Sequence, residues 1–218
     1  MKKIKQAWPT KDVMDQIYSM KLWGENESKF YSGIGSHFPK IVNPYIAYVS
    51  AFLKSFQNPP IVCDLGCGDF NVGKELIELT YKYFAVDIVY DLIVYNRKKF
   101  NQENLEFRCL DISADALPSG DIVILRQVLQ HLSNSEIQAI LNKLSAFKYV
   151  ILTEHLPVGE FEPNKDIISG QGTRLKMSSG VNLLAPPFNF EIVSEKKLVS
   201  VILDDNKGII ETVIYQIQ

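Results

Sequence analysis

Five short apolar runs, 61–65, 83–86, 105–109, 122–125 and 149–152, alternate with stretches whose apolar residues fall at helical spacing, 72–79, 92–100 and 133–146. Runs this short between helices read as strands buried on both faces, which is the pattern of a parallel sheet. Parallel neighbours need crossover connections, and helices supply them. The alternation therefore predicts a Rossmann-like, doubly wound α/β fold. The chain then closes with apolar stretches at 198–203 and 209–217 around the polar residues 204–208, which read as an antiparallel hairpin. A mostly parallel seven-stranded sheet ending in that hairpin is the expected architecture.

Two regions break the rhythm. Residues 1–59 read as an N-terminal helical cap. A helical pattern follows Pro9 and Thr10, and a second helix is expected from Asn43 as N-cap, with Pro44 in the first helical position. Between them runs a polar, Gly-bearing stretch from Trp23 to His37. Residues 60–218 form the main domain, with an irregular insertion at 155–190 that is rich in Gly and Pro. One motif within the domain is explicit. Ser133 and Glu136 make a capping box ahead of Ile137, Ile140, Leu141 and Leu144.

Charge and cysteine content narrow the class. There are 23 Lys and Arg against 25 Asp and Glu, so bulk attraction to a polyanion is excluded, and no nucleic-acid partner is expected. The basic start lacks the apolar core of a signal peptide, and 44–53 is too short to cross a bilayer. Three Cys without a C-x-x-C pair fit a cytoplasmic protein with reduced thiols, and no Cys/His set has metal spacing.

The chemistry concentrates where the first strand ends. Asp64, Gly66, Cys67, Gly68 follow one another in Cys-Asp-Leu-Gly-Cys-Gly, a strand running into a turn that opens a predicted helix. Two glycines allow a sharp turn and a close backbone approach by a ligand, and a helix start offers free N–H groups. Asp87 ends the next strand, about 20 residues past the first glycine, the spacing of a ribose-binding acid. Asp111 follows the third strand. A dinucleotide fold of the Gly-x-Gly-x-x-Gly type would need a third glycine where Asn71 stands. A cationic ligand such as S-adenosylmethionine (SAM) suits the acid two residues before the first glycine.

Asp64-x-Gly66-x-Gly68, Asp87 and Asp111-Ile112 resemble the first three motifs of class I SAM-dependent methyltransferases, with Phe70 standing where many members carry a third glycine. Further likeness to a little-characterised bacterial branch lies in Trp23-Gly24, Ser32-Gly33-x-Gly35-Ser36, the Arg126 to Ser133 segment and Pro186-Pro187-Phe188. The resemblance implies SAM as cofactor, with S-adenosylhomocysteine (SAH) as product. It implies Asp64 at the methionine amino group, Gly66, Cys67 and Gly68 beside methionine and ribose, and Asp87 on the ribose hydroxyls. Ile88 would pack on adenine, Asp111 and the Ile112 N–H would read its edge, and Arg126 would sit beside the methionine. Trp23, Ser32, Gly35 and Ser36 would close over the cofactor, and His37, His155 and Arg126 are the candidates for catalysis. His131 reads as structural. The expected reaction is methyl transfer to an O or N nucleophile of a small-molecule or saccharide-type acceptor. A non-catalytic SAM sensor or partner subunit and a nucleic-acid or protein methyltransferase are the alternatives. Nothing in the sequence fixes an oligomeric state.

Overall fold

The structure is a computed structural model and describes residues 8–204 and 207–218. The basic start of the chain and the middle of the predicted hairpin turn lie outside the described residues. Seven strands form one sheet: β1 Ile61–Leu65, β2 Lys82–Asp87, β3 Leu105–Cys109, β4 Ile122–Arg126, β5 Tyr149–Leu156, β6 Ser194–Ile202 and β7 Ile209–Gln216. Their order is β3-β2-β1-β4-β5-β7-β6. The first five pair in parallel, and β7 pairs antiparallel with both β5 and β6. The order reverses between β1 and β4, so the carboxyl ends of those strands open a crevice, the usual ligand position in such sheets.

Strand alternation sorts the core into two layers. Val62, Ile122, Ile124 and Ile151 face one cluster with Val42, Tyr45, Val49 and Leu53 of α2 (Pro39–Lys54). Cys63, Leu65, Val123, Leu125, Val150 and Leu152 face the other, with Ile137, Ile140, Leu141 and Leu144 of α4 (Asn134–Leu144) and Met14 and Ile17 of α1 (Thr10–Ser19). A period of two on strands buried on both faces dictates this division. The remaining helix, α3 (Tyr90–Lys99), contributes Leu92 to one layer and Ile93 to the other. The Ser133–Glu136 capping box is formed as expected.

Two helical expectations are corrected. Helix α2 starts at Pro39 rather than after Asn43, and Pro44 lies inside it. Pro39 fixes the first-turn backbone and needs no N–H partner there. Burial of Ile41, Val42 and Tyr45 then holds the turn across Pro44, which gives up one helical hydrogen bond. After the glycine turn the expected helix at 72–79 is two short 3₁₀ turns, Gly73–Glu75 and Ile77–Leu79. The N–H groups of Lys74, Glu75, Leu76, Leu79 and Thr80 are bonded back to Phe70, Val72, Gly73, Leu76 and Ile77, as in tight turns rather than a regular helix.

The residue responsible is Phe70. It is fully buried and edge-packed on Tyr83, Phe100 and Phe107, at centroid distances of 5.7, 5.1 and 4.9 Å. Its φ is 62°, left-handed space that glycine enters freely and a phenylalanine enters at a cost. The turn thus keeps a glycine-like backbone while carrying a core side chain. Gly73 makes room for it, because a Cβ there would lie 2.4 Å from Phe70 Cε2.

The irregular segment after β5 contains no α-helix, as expected, and only one 3₁₀ turn, Arg174–Met177. Its neck is closed by Asn164, whose side chain accepts from Asn182 N–H (2.8 Å) and donates to the Asn182 and Pro186 carbonyls (2.7 and 3.0 Å). The result is a compact loop with adjacent ends. Pro186 and Pro187 are absent from the cavity described below, and Phe188 is buried in the core beneath α4.

Candidate functional site

Over the carboxyl ends of β1, β2 and β4 lies a cavity of about 500 Å³. Its walls include Asp64, Gly66, Cys67, Gly68, Asp87, Ile88, Asp111, Ile112, Arg126, Trp23, Ser32, Gly35, Ser36 and His155, all singled out from sequence. His37 is not in the lining.

The acids differ in what holds them. Asp87, 8% exposed, accepts from the N–H of Gly68 and of Val89, each at 3.0 Å, and so ties the glycine turn to the end of β2. Burial lifts its carboxyl to about 6, with those N–H groups opposing. Each oxygen keeps a second lone-pair direction. Asp64 shares a sheet face with Tyr83 and accepts its hydroxyl at 3.0 Å. Burial lifts Asp64 to about 7, against the pull of Tyr83 and of Arg126. Asp111 bonds both the N–H and the hydroxyl of Ser113 through one oxygen, at 2.9 and 2.6 Å. It therefore caps its own turn and leaves the second oxygen to other partners. Gly68, at φ 56°, lies so close to the N-terminal segment that a Cβ would sit 2.4 Å from Ser32 Oγ.

The buried Asp64 makes a testable pH dependence. Its folded-state pKa lies above the unfolded value of 3.8, so the folded chain keeps the proton longer. Stability from this group is full below about pH 4 and is lost as pH rises through about 7. A shift of this size corresponds to ~4 kcal/mol as an upper bound. Thermal melts from pH 4 to 8 are expected to fall less steeply in Asp64→Asn, which keeps an acceptor for Tyr83. Parallel pH profiles for the two proteins would overturn the assignment.

The sequence reading passed over Asp69, which organises the N-terminal cover. Its Oδ2 accepts Ser32 N–H (2.9 Å) and faces His37 Nε2 (2.6 Å), and its own N–H donates to Ser32 Oγ (2.8 Å). Tyr18 adds a hydroxyl contact to Ser32 at 2.8 Å, and Trp23 packs against both Tyr18 and His131. Ser32 is thereby spent on folding its own loop, and His37 is a strut to Asp69 stacked on Tyr31. An acid next to Gly68 was the available signal, but only the fold brings residue 32 beside it.

Arg126 is also occupied. Nη2 donates to Gly35 O (2.5 Å) and Nη1 to Ser36 Oγ (3.2 Å), so its fork holds the 33–36 loop. Among the described residues, its Nε and the hydroxyl of Tyr45, whose ring lies 5.0 Å from the guanidinium, are buried without a protein partner. Both residues line the cavity, which leaves unmet donors at its Asp64 end.

The histidines are set by carbonyls and one amide. His155 Nε2 lies 2.7 Å from Lys207 O, and a carbonyl only accepts, so Nε2 carries the proton and Nδ1 the lone pair. Burial lowers its pKa, favouring the neutral ring. Gln130 Oε1 accepts His155 N–H, which turns its NH₂ toward His131 Nε2 at 3.1 Å. His131 Nδ1 then donates to Gly170 O, and burial lowers this ring to about 4. His131 is a neutral structural residue, as its sequence context suggested. Cys67 is pushed well above the ordinary thiol range by burial and is a small lining residue rather than a nucleophile.

A seven-stranded sheet in this order, with its ligand crevice over β1, β2 and β4, is the fold of the class I methyltransferases. Residues 63–147 match the family model described as "Methyltransferase domain". It is 36% identical over 72 residues to malonyl-[acyl-carrier protein] O-methyltransferase of Acetivibrio thermocellus, a stretch covering 32% of this chain and 25% of that protein. The fold is similar to that of the N-methyltransferase NodS of Bradyrhizobium japonicum in complex with SAH, at a TM-score of 0.66 and 10% identity, over 95% of this chain and 100% of that one. It is also similar to the SAM complex of magnesium protoporphyrin IX methyltransferase from Synechocystis (0.61, 15%, 97% and 99%). A third similar structure is human N-acetylserotonin methyltransferase with SAM, at 0.59 and 17% identity over 96% of this chain and 60% of that one. The chain thus spans about a quarter of the curated relative it matches. Among the described residues no helix is long and apolar enough to cross a membrane.

Proposed function

We propose that this chain is a SAM-dependent methyltransferase acting on an O or N nucleophile of a small molecule, saccharide-type acceptors included. One observation carries the reading: a single cavity joins Asp64, Asp87 and Asp111, each at the end of a neighbouring strand, to a second, polar half lined by Gln127, Gln130, His155 and Thr173. The residues present fit the cofactor. Asp87 has lone pairs left for two vicinal hydroxyls, Gly68 admits close approach, and Ile88 and Ile112 offer apolar faces to a flat base. Asp64 suits a cationic amine, and the unmet Arg126 and Tyr45 donors suit a carboxylate.

SAM, when bound, supplies a methyl group already activated on a cationic sulfur. The protein's share is then positioning and exclusion of water. Trp23 and the Ser32–Ser36 loop, held by Asp69 and Arg126, form the cover. For a hydroxyl acceptor, His155 Nδ1 holds the proton that leaves oxygen; for a neutral amine no base is needed before attack. The test is calorimetry with SAH, then incubation with methyl-labelled SAM and an ultrafiltered cell extract. Micromolar or tighter SAH binding and a labelled small molecule are expected. Failure to bind SAH would remove the cofactor assignment; binding without any labelled product would favour a sensor.

A further inference from the structure

The acids in the cavity lining are all committed. Asp64, Asp69, Asp87 and Asp111 belong to the cofactor motifs or to the ties of the cover, and Glu136 caps α4 and binds Ser169 of the insertion. Each is bonded to neighbours on the same chain. Among the described residues, the half walled by the ends of β4 and β5 and by the insertion meets one acid, Glu136, whose carboxylate is taken by Thr10, Ser133 and Ser169. It holds Gln127, Gln130, His155, Gln171, Thr173 and one cation, Lys176. Arg126 does not serve this half, since its fork is taken by Gly35 and Ser36. Among the described residues the Lys176 ammonium has no ion-pair partner.

Lys176 stands on a rigid support. The turn Arg174–Met177 is fixed by Arg174, 1% exposed. Its guanidinium donates to the carbonyls of Lys165 (2.9 Å), Leu129 (3.2 Å) and Leu132 (2.8 Å) and to Asn134 Oδ1 (2.7 Å). Two further bonds, Gly170 N–H to His131 O and Ser133 N–H to Ser169 Oγ, fasten the preceding loop to the β4–α4 connection. A buried arginine that donates four hydrogen bonds to backbone and amide oxygens is a large investment for a loop with no other role. It fixes the backbone of the turn that carries Lys176, an exposed residue of the cavity wall.

Resting on the methyltransferase reading, we propose that the acceptor is an anion. A carboxylate or phosphate on it pairs with Lys176, while a separate hydroxyl or amine takes the methyl group, so the product keeps its negative charge. Lys176 is then a specificity-determining residue. The neutral amides and hydroxyls around it bond the rest of a polar scaffold without repelling the charge.

The experiment uses the full chain with methyl-labelled SAM and an ultrafiltered cell extract, resolved afterwards by anion exchange and treated with phosphatase in a parallel arm. Label is expected in the anion-retained fraction, and loss of retention after phosphatase separates a phosphate from a carboxylate. Lys176→Glu is expected to cut this labelling at least tenfold and Lys176→Arg to retain most of it. SAH affinity should stay within twofold in both, since Lys176 lies outside the cofactor half. Label in the unretained fraction, or full labelling by Lys176→Glu, overturns the proposal. No label in any fraction despite SAH binding sinks the methyl-transfer reading itself, and this proposal with it.

Discussion

Asp87→Asn is expected to weaken SAH binding at least 100-fold by calorimetry, about 2.8 kcal/mol at tenfold per 1.4 kcal/mol. The carboxylate does two things at once. It accepts Gly68 N–H and Val89 N–H, holding the glycine turn against β2, and it points its remaining lone pairs into the cavity. Asn supplies one acceptor oxygen in place of two and removes the charge. One of the two N–H groups is left facing an NH₂, at a cost of about 1–3 kcal/mol for a buried unmet donor. Comparing Asp87→Ala separates folding from binding. That variant strands both donors and is expected to lose more thermal stability, whereas Asp87→Asn should melt cooperatively and still fail to bind. Binding by Asp87→Asn within threefold of wild type would show that the ribose reading is wrong.

Phe70→Ala is the largest expected stability loss, about 3–5 kcal/mol for a buried phenylalanine. Its ring fills the space between Tyr83, Phe100, Phe107 and Gly73, and no neighbour is free to collapse into the gap. For a chain of this length each kcal/mol moves the melting temperature by about 2–4 °C, so a drop of roughly 6–20 °C is expected by differential scanning calorimetry. Phe70→Gly is the informative companion. It opens the same cavity while relieving the left-handed backbone at φ 62°, so it should be no worse than Ala. A Gly variant much less stable than Ala would mean the backbone strain is negligible.

The sheet was legible because period two and short run length leave little choice. Val62, Cys63, Val123 and Ile124 are apolar whichever way they face, and only a strand covered on both sides wants that. That Asp64, Asp87 and Asp111 meet at one cavity was legible because they sit at strand ends at fixed spacing. The segment after the glycines was misread as a helix because Val72, Leu76 and Leu79 fit helical spacing, while the backbone demanded by Phe70 was invisible to periodicity. The start of α2 was misplaced because Asn43-Pro44 is a strong cap signal, and burial of Ile41 and Val42 outweighed it. The ties Asp69–His37, Arg126–Gly35 and Arg174–Leu132 join residues far apart in the chain, and no local pattern carries them. They decide which candidates remain available: His155 keeps a free lone pair, whereas His37 and the fork of Arg126 are committed.

The closed neck at Asn164 has an evolutionary reading. Bonds from one amide to Asn182 and Pro186 close the loop on itself, and Arg174, Ser169 and Asp166 pin it to the β4–α4 connection. None of these contacts involves Asp64, Asp87 or Asp111. Exposed positions between these ties can therefore change without touching the strand ends that carry the three acids, and the loop behaves as an exchangeable cartridge. On the proposed methyltransferase reading, a lineage carrying this scaffold changes its acceptor by rewriting those loop residues, while the sheet that took the whole chain to build stays as it is.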